Sequence, residues 1–388
     1  MKFFHLSDLH IGLKLVNHDL YNDQQHILTQ IVHLARDRQP DAIVIAGDIY
    51  DKAIPSADAV SLFDQFVTDL TQTLPNAEIM LISGNHDSAQ RLDVFRQILV
   101  KQNIHMIGLP PQKTDEYIAQ VTLHDEYGPI NFYLLPFVKP SMVKLITGTD
   151  ENGNNLSYDA ALHALVARET IQPEQRNVLV SHQFYLSTGG NADDIDRSDS
   201  EIITVGNIDS INGDMLEQFD YAALGHIHKA QRLNGKDCFR YCGTPLACSI
   251  SEAGQEKGII EVELGAKGAV KTTVLPLSPL HPVRKIKDTL ENVLAAPSQD
   301  YVSITLTDEQ DLDVFDMQDR LNAAFPNLLE IRRAVQKAVN YKDALTPQEQ
   351  LSPFALCKTF LGQLDEEDEA LLADIINTVQ DARTEGRP

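Results

Sequence analysis

The chain has 388 residues, 43% of them hydrophobic, enough for two or three domains with real cores; a disordered or fibrous protein is excluded. Its 32 Lys+Arg against 56 Asp+Glu give a formal charge of −24, which excludes a protein that holds nucleic acid by itself through a broad basic face. The cysteines Cys238, Cys242, Cys248 and Cys357 form no CxxC pair and read as reduced, incidental thiols. With no apolar run near the ~18 residues of a membrane helix and no leader-like N-terminus, a soluble, cytoplasmic chain is expected.

In chain order, short apolar or β-branched runs at residues 3–6, 42–46, 79–83, 104–107, 178–181 and 221–224 read as strands. Between the first two, Ile27, Leu28, Ile31, Val32 and Ala35 recur at helical spacing, as do Val60, Phe63, Phe66, Val67 and Leu70 between the second and third. Alternation of this kind predicts an α/β layer architecture. Further strands at 239–242, 258–264 and 270–277 extend the sheet layer to about residue 280, and the proline-rich 277–282 segment marks a domain boundary. Beyond it a helical stretch 288–294, a strand 301–306, a helix carrying Leu312, Phe315, Leu321 and Phe325, and a strand 328–335 predict a small α+β module. After Thr346-Pro347 two helices are expected, the first with Leu351, Phe354, Cys357, Phe360, Leu361 and Leu364, the second with Leu371, Leu372, Ile375, Ile376 and Val379, each bearing an apolar stripe. The acidic run 365–369 suits the start of the second helix. The division is thus 1–280, 281–345 and 346–388.

Five motifs stand where strands end: Asp8-Leu9-His10, Gly47-Asp48 with Asp51 three residues on, Gly84-Asn85-His86-Asp87, Ser181-His182, and Gly225-His226-Ile227-His228. Alternate side chains of extended backbone share a face, so Asp8 with His10, and His226 with His228, can each aim two ligands at one point, with glycines 47, 84 and 225 at the bends. Strand carboxyl ends in an α/β sheet lie along one edge, where ligand sites form. Two aspartates, one asparagine and five histidines exceed what one transition metal uses, and divide naturally into two ions ~3.5–4 Å apart with Asp48 as the bridge. Mixed imidazole and carboxylate ligation favours manganese, iron or zinc. Any one of these motifs alone is weak, and Asp87 or Ser88 can equally be the N-cap of a helix carrying Leu92, Phe95 and Leu99; the ordered conjunction of all five is what points to a dinuclear site. The other eight histidines, among them His5, His105, His163 and His281, read as structural.

This order of motifs resembles that of the calcineurin-like metallophosphoesterases. Within them, residues 7–12, 221–231 and 241–246, followed by Ser249-Ile-Ser-Glu252 and Lys257-Gly258, resemble the SbcD family of nuclease subunits. The resemblance implies a four-layer α/β/β/α sandwich with a small α+β cap and a C-terminal helical segment. It implies one metal on Asp8, His10, Asp48 and His228 and a second on Asp48, Asn85, His182 and His226, with manganese as the ion. His86 would face the scissile phosphate as general acid or electrostatic stabiliser, and Asp51 would orient it. The resemblance also implies homodimers joined two-plus-two with an SbcC-type ATPase gripped by Phe354, Phe360, Leu361, Leu364, Leu372 and Ile376. Its activity would be ATP-dependent 3′-to-5′ exonuclease action on duplex DNA ends and endonuclease cleavage of single strands and hairpins, in repair, recombination and replication at the nucleoid. The rival expectation is a stand-alone phosphodiesterase or phosphatase of small nucleotides, which would share every ligand but seldom needs the chain after residue 285. A catalytic subunit that leaves most of the grip on DNA to a partner also fits the −24 charge.

Overall fold

The computed structural model describes residues 1–201, 208–308, 314–334, 352–362 and 364–384. The expected positions Leu312, Leu351 and the end of the 328–335 strand, and the boundary at 345/346 with Thr346-Pro347, lie outside them. The chain divides into two units, residues 1–201 with 209–282, and 283–388 with 202–208.

In the first unit the predicted apolar runs are β1 (Lys2–Leu6), β2 (Ala42–Ala46), β3 (Glu78–Ile82) and β4 (Ile104–Ile107), then, after a hairpin, β7 (Arg176–His182) and β8 (Tyr221–Gly225). That hairpin, β5 (Ala119–Asp125) with β6 (Gly128–Leu135), is an addition to the expected elements. Strands β9 (Gln231–Arg232), β10 (Phe239–Tyr241), β11 (Gly258–Leu264) and β12 (Val270–Pro276) complete two six-stranded sheets, ordered β12-β11-β1-β2-β3-β4 and β9-β10-β8-β7-β6-β5. Strands β1 to β4 run parallel to one another, as do β6, β7, β8 and β10, while β11, β12, β5 and β9 pair antiparallel at the flanks.

Central strands buried on both faces read as continuous apolar runs rather than alternating ones. Alternation still sorts their side chains. Phe3, Val44, Met80, Phe132, Val178, Tyr221 and Val262 fill the space between the sheets, and Phe3 meets Phe132 and Tyr221 edge-on with ring centroids 5.4 and 5.6 Å apart. Outward residues of the second sheet, such as Tyr133, Leu135, Leu179 and Leu224, pack instead with Val143 of α3 (Pro140–Thr147) and Leu162 and Leu165 of α4 (Tyr158–Val166). On the other side lie α1 (Tyr21–Arg38) and α2 (Ala57–Thr73), which bury Ile27, Leu28, Ile31 and Ala35, and Leu62, Phe63, Phe66 and Leu70. Ser56 caps α2 by accepting from Ala59 N at 3.2 Å. The result is the four-layer α/β/β/α sandwich.

The second unit has a parallel three-stranded sheet of β13 (Val283–Asp288), β14 (Tyr301–Leu306) and β15 (Leu328–Arg333), with α5 (Leu290–Leu294) and α6 (Val314–Ala324) supplying Leu290, Val293, Met317 and Leu321 to its core, and Phe325 joining it just after α6. Residues 283–288 are a strand ahead of the expected helix. Helices α7 (Pro353–Leu361) and α8 (Glu366–Thr384) follow; Asp365 accepts from the backbone N–H of Glu367 and Asp368, so the acidic run does open the second helix.

The expected helix after Asn85-His86-Asp87 is broken. It forms two single turns, Ala89–Leu92 and Arg96–Leu99, because Phe95 sits in the left-handed region at φ 65°. Neither Asp87 nor Ser88 caps it. Asp87 instead accepts backbone N–H groups of Ile49 (3.0 Å), Tyr50 (2.9 Å) and Gly84 (2.9 Å), tying together the loops that follow β2 and β3.

Among the three glycines expected at bends, only Gly47 has a positive φ, 88°. Gly84 and Gly225 are needed for close approach: a Cβ on Gly84 would strike Asp48, and one on Gly225 would strike the carbonyl oxygen of Ala46 in the opposite sheet and, at 2.8 Å, His182 Nδ1. Gly225→Ala is therefore expected to cost ~1–3 kcal/mol by overpacking a rigid junction, read as a lowered midpoint in urea denaturation.

Candidate metal centre

The motifs meet where the carboxyl ends of parallel strands from both sheets face one another. The turns after β1, β2 and β8 put the ligand candidates themselves in the left-handed region: Asp8 at φ 53°, His10 at 43°, Asp48 at 49° and His226 at 99°. Such backbone is strained for side chains other than glycine and persists only where surrounding bonds enforce it. Here Asp8 N donates to Gly47 O (3.0 Å), His10 N to Asp48 O (3.0 Å) and Ile11 N to Ile49 O (2.9 Å). Gln24 of α1 braces the same loop, donating to His10 O at 2.7 Å and accepting from Gly12 N at 3.0 Å.

All seven expected ligands converge. Asp8, His10, Asp48, His182, His226 and His228 are buried, and Asn85 is partly so. His10 Nε2 lies 3.1 Å from His228 Nε2, with Asp8 close to both. Asn85 Oδ1 lies 3.0 Å from His182 Nε2 and 3.0 Å from His226 Nδ1. Asp48 Oδ2 stands between the two sets, 3.3 Å from His182 Nε2 and 3.7 Å from His10 Nε2, while its Oδ1 accepts from His86 N at 2.9 Å. Asp8 also accepts from His226 N at 3.0 Å.

This donor set fits cations. His182 Nδ1 donates to Ala46 O at 2.7 Å, so in the neutral ring Nε2 is a lone pair, and it faces two further acceptors with no hydrogen between them. His226 Nε2 is buried without a hydrogen-bond partner. Acceptors massed in this way need a positive charge at their centre. Without a metal, a proton takes that place. Burial would lower the His182 pKa, yet the Asp48 and Asp8 carboxylates outweigh it and lift the ring to about 9. Burial likewise would raise Asp48, but His182, His86 and His10 together hold it well below the usual carboxylate range. Burial pushes Asp8 up to about 6 against the pull of His182 and His228, and drives His10 and His226 well below an ordinary imidazole.

His86 sits at the rim, its ring edge-on to His10 with centroids 4.8 Å apart. Its Nδ1 donates to the backbone carbonyl of Asp51 at 2.9 Å. Asp51 thus meets His86 through its main chain; its carboxylate lies 3.9 Å from His10 Nδ1. Among the remaining histidines, His5 meets Tyr221 Oη (3.0 Å) and Leu224 O (3.2 Å), and burial takes it down to about 3.

The expectations omitted the residues behind His228. Its backbone N–H donates to Glu201 at 2.9 Å, and its Nδ1 meets Ser200 Oγ at 2.8 Å, with buried Glu252 beyond. Glu252 and Lys257 were visible only as parts of a motif; Ser200 and Glu201 lie on an irregular loop with no periodic signal.

Residues 1–230 match the calcineurin-like phosphoesterase family, and the chain belongs to it. Residues 279–363 match a second family, described as the type 5 capsule protein repressor C-terminal domain. Over 342 residues the chain is 28% identical to the SbcD component of the nuclease SbcCD from Staphylococcus epidermidis, covering 86% of each protein. Among solved structures it is similar to a dimetal phosphatase from Danio rerio (13% identity, 72% of this chain and 99% of that one, TM-score 0.41). It is also similar to GAP50, the anchor in the inner membrane complex of Plasmodium (12% identity, 87% and 98% coverage, TM-score 0.43). The family uses a dinuclear metal site, consistent with the His/Asp groups gathered here. Among the described residues no helix is long and apolar enough to cross a membrane.

With Asp48 and Asp8 lifting the His182 ring to about 9, uptake of a divalent ion beside it at neutral pH is expected to expel its proton. Manganese affinity is expected to rise with pH towards 9, and calorimetry in buffers of different ionisation enthalpy should show proton release. A binding enthalpy independent of buffer would contradict this.

Proposed function

We propose that the protein is a metal-dependent DNA nuclease, the catalytic subunit of an SbcCD-type complex. The observation that carries the proposal is the pairing of the buried Asp/His/Asn centre with a C-terminal region matching that second family, in a chain alike over 86% of its length to an SbcCD nuclease component. Asp8, His10, Asp48 and His228 would hold one divalent ion and Asp48, Asn85, His182 and His226 the other, both manganese in this reading. When bound, the ions would neutralise the phosphodiester and lower the pKa of an attacking water from 15.7 towards ~7.

The chain's own residues supply the rest. With Nδ1–H committed to Asp51 O, His86 presents Nε2 at the partly exposed rim, where an imidazole can hold a proton and pass it to the leaving oxygen. Asp48 Oδ1 fixes the backbone of His86, so the acid and the bridging ligand are positioned together. Asp51 acts as a positioning residue through its carbonyl. The finer activities we propose are ATP-dependent 3′-to-5′ exonuclease and hairpin or single-strand endonuclease action in DNA repair, recombination and replication at the cytoplasmic nucleoid.

We further propose two protein contacts. On α7 and α8, Phe360 is 90% exposed and Leu361 54%, while Phe354, Leu364, Leu372 and Ile376 are half-buried; Leu356, Leu371, Ile375 and Val379 add exposed apolar surface. Such a surface suits the coiled-coil base of an SbcC-type ATPase. Around Val60, Val94, Phe95 and Ile98 a second exposed apolar patch suits a second copy of the chain, giving a homodimer in a two-plus-two complex.

His86→Ala should lower manganese-dependent cleavage of hairpin DNA by ~10²–10⁴-fold while metal uptake is kept; cleavage at the parent rate, or equal turnover of cyclic nucleotides by the parent, would refute the assignment. Truncation after Thr346 should abolish SbcC binding in a pull-down and leave metal binding unchanged; retained complex would refute the docking surface.

A further inference from the structure

The buried carboxylate of Glu252 touches no proposed metal ligand closer than 3.5 Å, yet six groups donate to it. Ser198, Ser200 and Ser249 hydroxyls reach Oε1 at 2.8, 3.1 and 3.2 Å; Lys257 Nζ, Thr244 Oγ1 and Cys248 N reach Oε2 at 2.6, 3.1 and 3.2 Å. An ionised carboxylate only accepts, so it dictates the direction of each bond. Ser200 has one hydrogen, and given to Glu252 or to Ser198 Oγ at 3.0 Å it leaves the Ser200 oxygen lone pairs for His228 Nδ1 at 2.8 Å. In the neutral ring His228 Nδ1 then carries hydrogen, and Nε2 presents its lone pair towards His10 and Asp8. Lys257 balances the buried negative charge and also donates to His228 O at 3.3 Å.

We propose that Glu252 is a positioning residue which, through the Ser200 hydroxyl, locks His228 in the tautomer able to bind metal. The inference rests on the dinuclear reading above, and outer partners of this kind typically change metal affinity 10–100-fold. Glu252→Gln is the informative variant. Lys257 would keep the amide oxygen, turning the amide N–H₂ towards the serines; Ser200 would then accept from it and donate to His228 Nδ1, leaving hydrogen on Nε2.

The test is calorimetric titration of manganese into the full-length chain, with imidazole ¹⁵N NMR of the metal-free protein. The parent should bind two ions and show, in the neutral His228 ring, the hydrogen on Nδ1. Glu252→Gln should lose about 10–100-fold in affinity for one ion only and shift the His228 hydrogen to Nε2, and Glu252→Asp, which keeps the accepting charge, should recover much of both. Ser200→Ala, the removal of one hydroxyl, should weaken the same ion and guards against misfolding of the Gln variant. Parental affinity and tautomer in folded Glu252→Gln would overturn the positioning role alone. Fewer than two ions on the parent would overturn the dinuclear reading and this inference with it.

Discussion

Two sheets can share one ligand site only if their backbones approach more closely than ordinary side chains permit. Here that approach occurs where Gly225 at the end of β8 faces the Ala46 carbonyl at the end of β2, and where Gly47 leaves no room for more than hydrogen against His182. From this contact follow the geometry of the centre, the strained turns at Asp8, His10, Asp48 and His226, and the shared position of Asp48 between ligands contributed by opposite sheets. The inter-sheet core of Phe3, Phe132 and Tyr221 sets the spacing from behind, and the glycines close it in front.

Much of this architecture was legible in the residues. The central strands announce themselves because they are buried on both faces and so are apolar throughout. Strand β5 is different: its residues are only partly buried or exposed, with Gln120, Thr122 and His124 alternating among apolar neighbours, and without its partner it resembles a polar loop. The helix expected after His86 failed because periodicity takes no account of one left-handed residue, Phe95. Asp87 escaped for a related reason. Its location suits a cap, but its carboxylate oxygens are taken by the backbone donors of Ile49, Tyr50 and Gly84.

The candidate ligands were legible because each follows a strand end, and strand ends obey a general rule of α/β sheets. What supports them was not. Ser198, Ser200 and Glu201 come from one irregular loop and Thr244, Ser249, Glu252 and Lys257 from another, and no spacing rule connects the two. Their role becomes visible only as a set of donors and acceptors in space, where the direction of each bond can be worked out from the one group that cannot donate.

The Asp87 carboxylate has a consequence for how this centre lives with its ions. It binds the loop carrying Asp48 to the loop carrying Asn85 and His86 using main-chain hydrogens alone, and takes no part in holding metal. The join between these two loops therefore rests on main-chain hydrogens and on no ligand side chain, unlike small zinc modules whose folding is the act of binding.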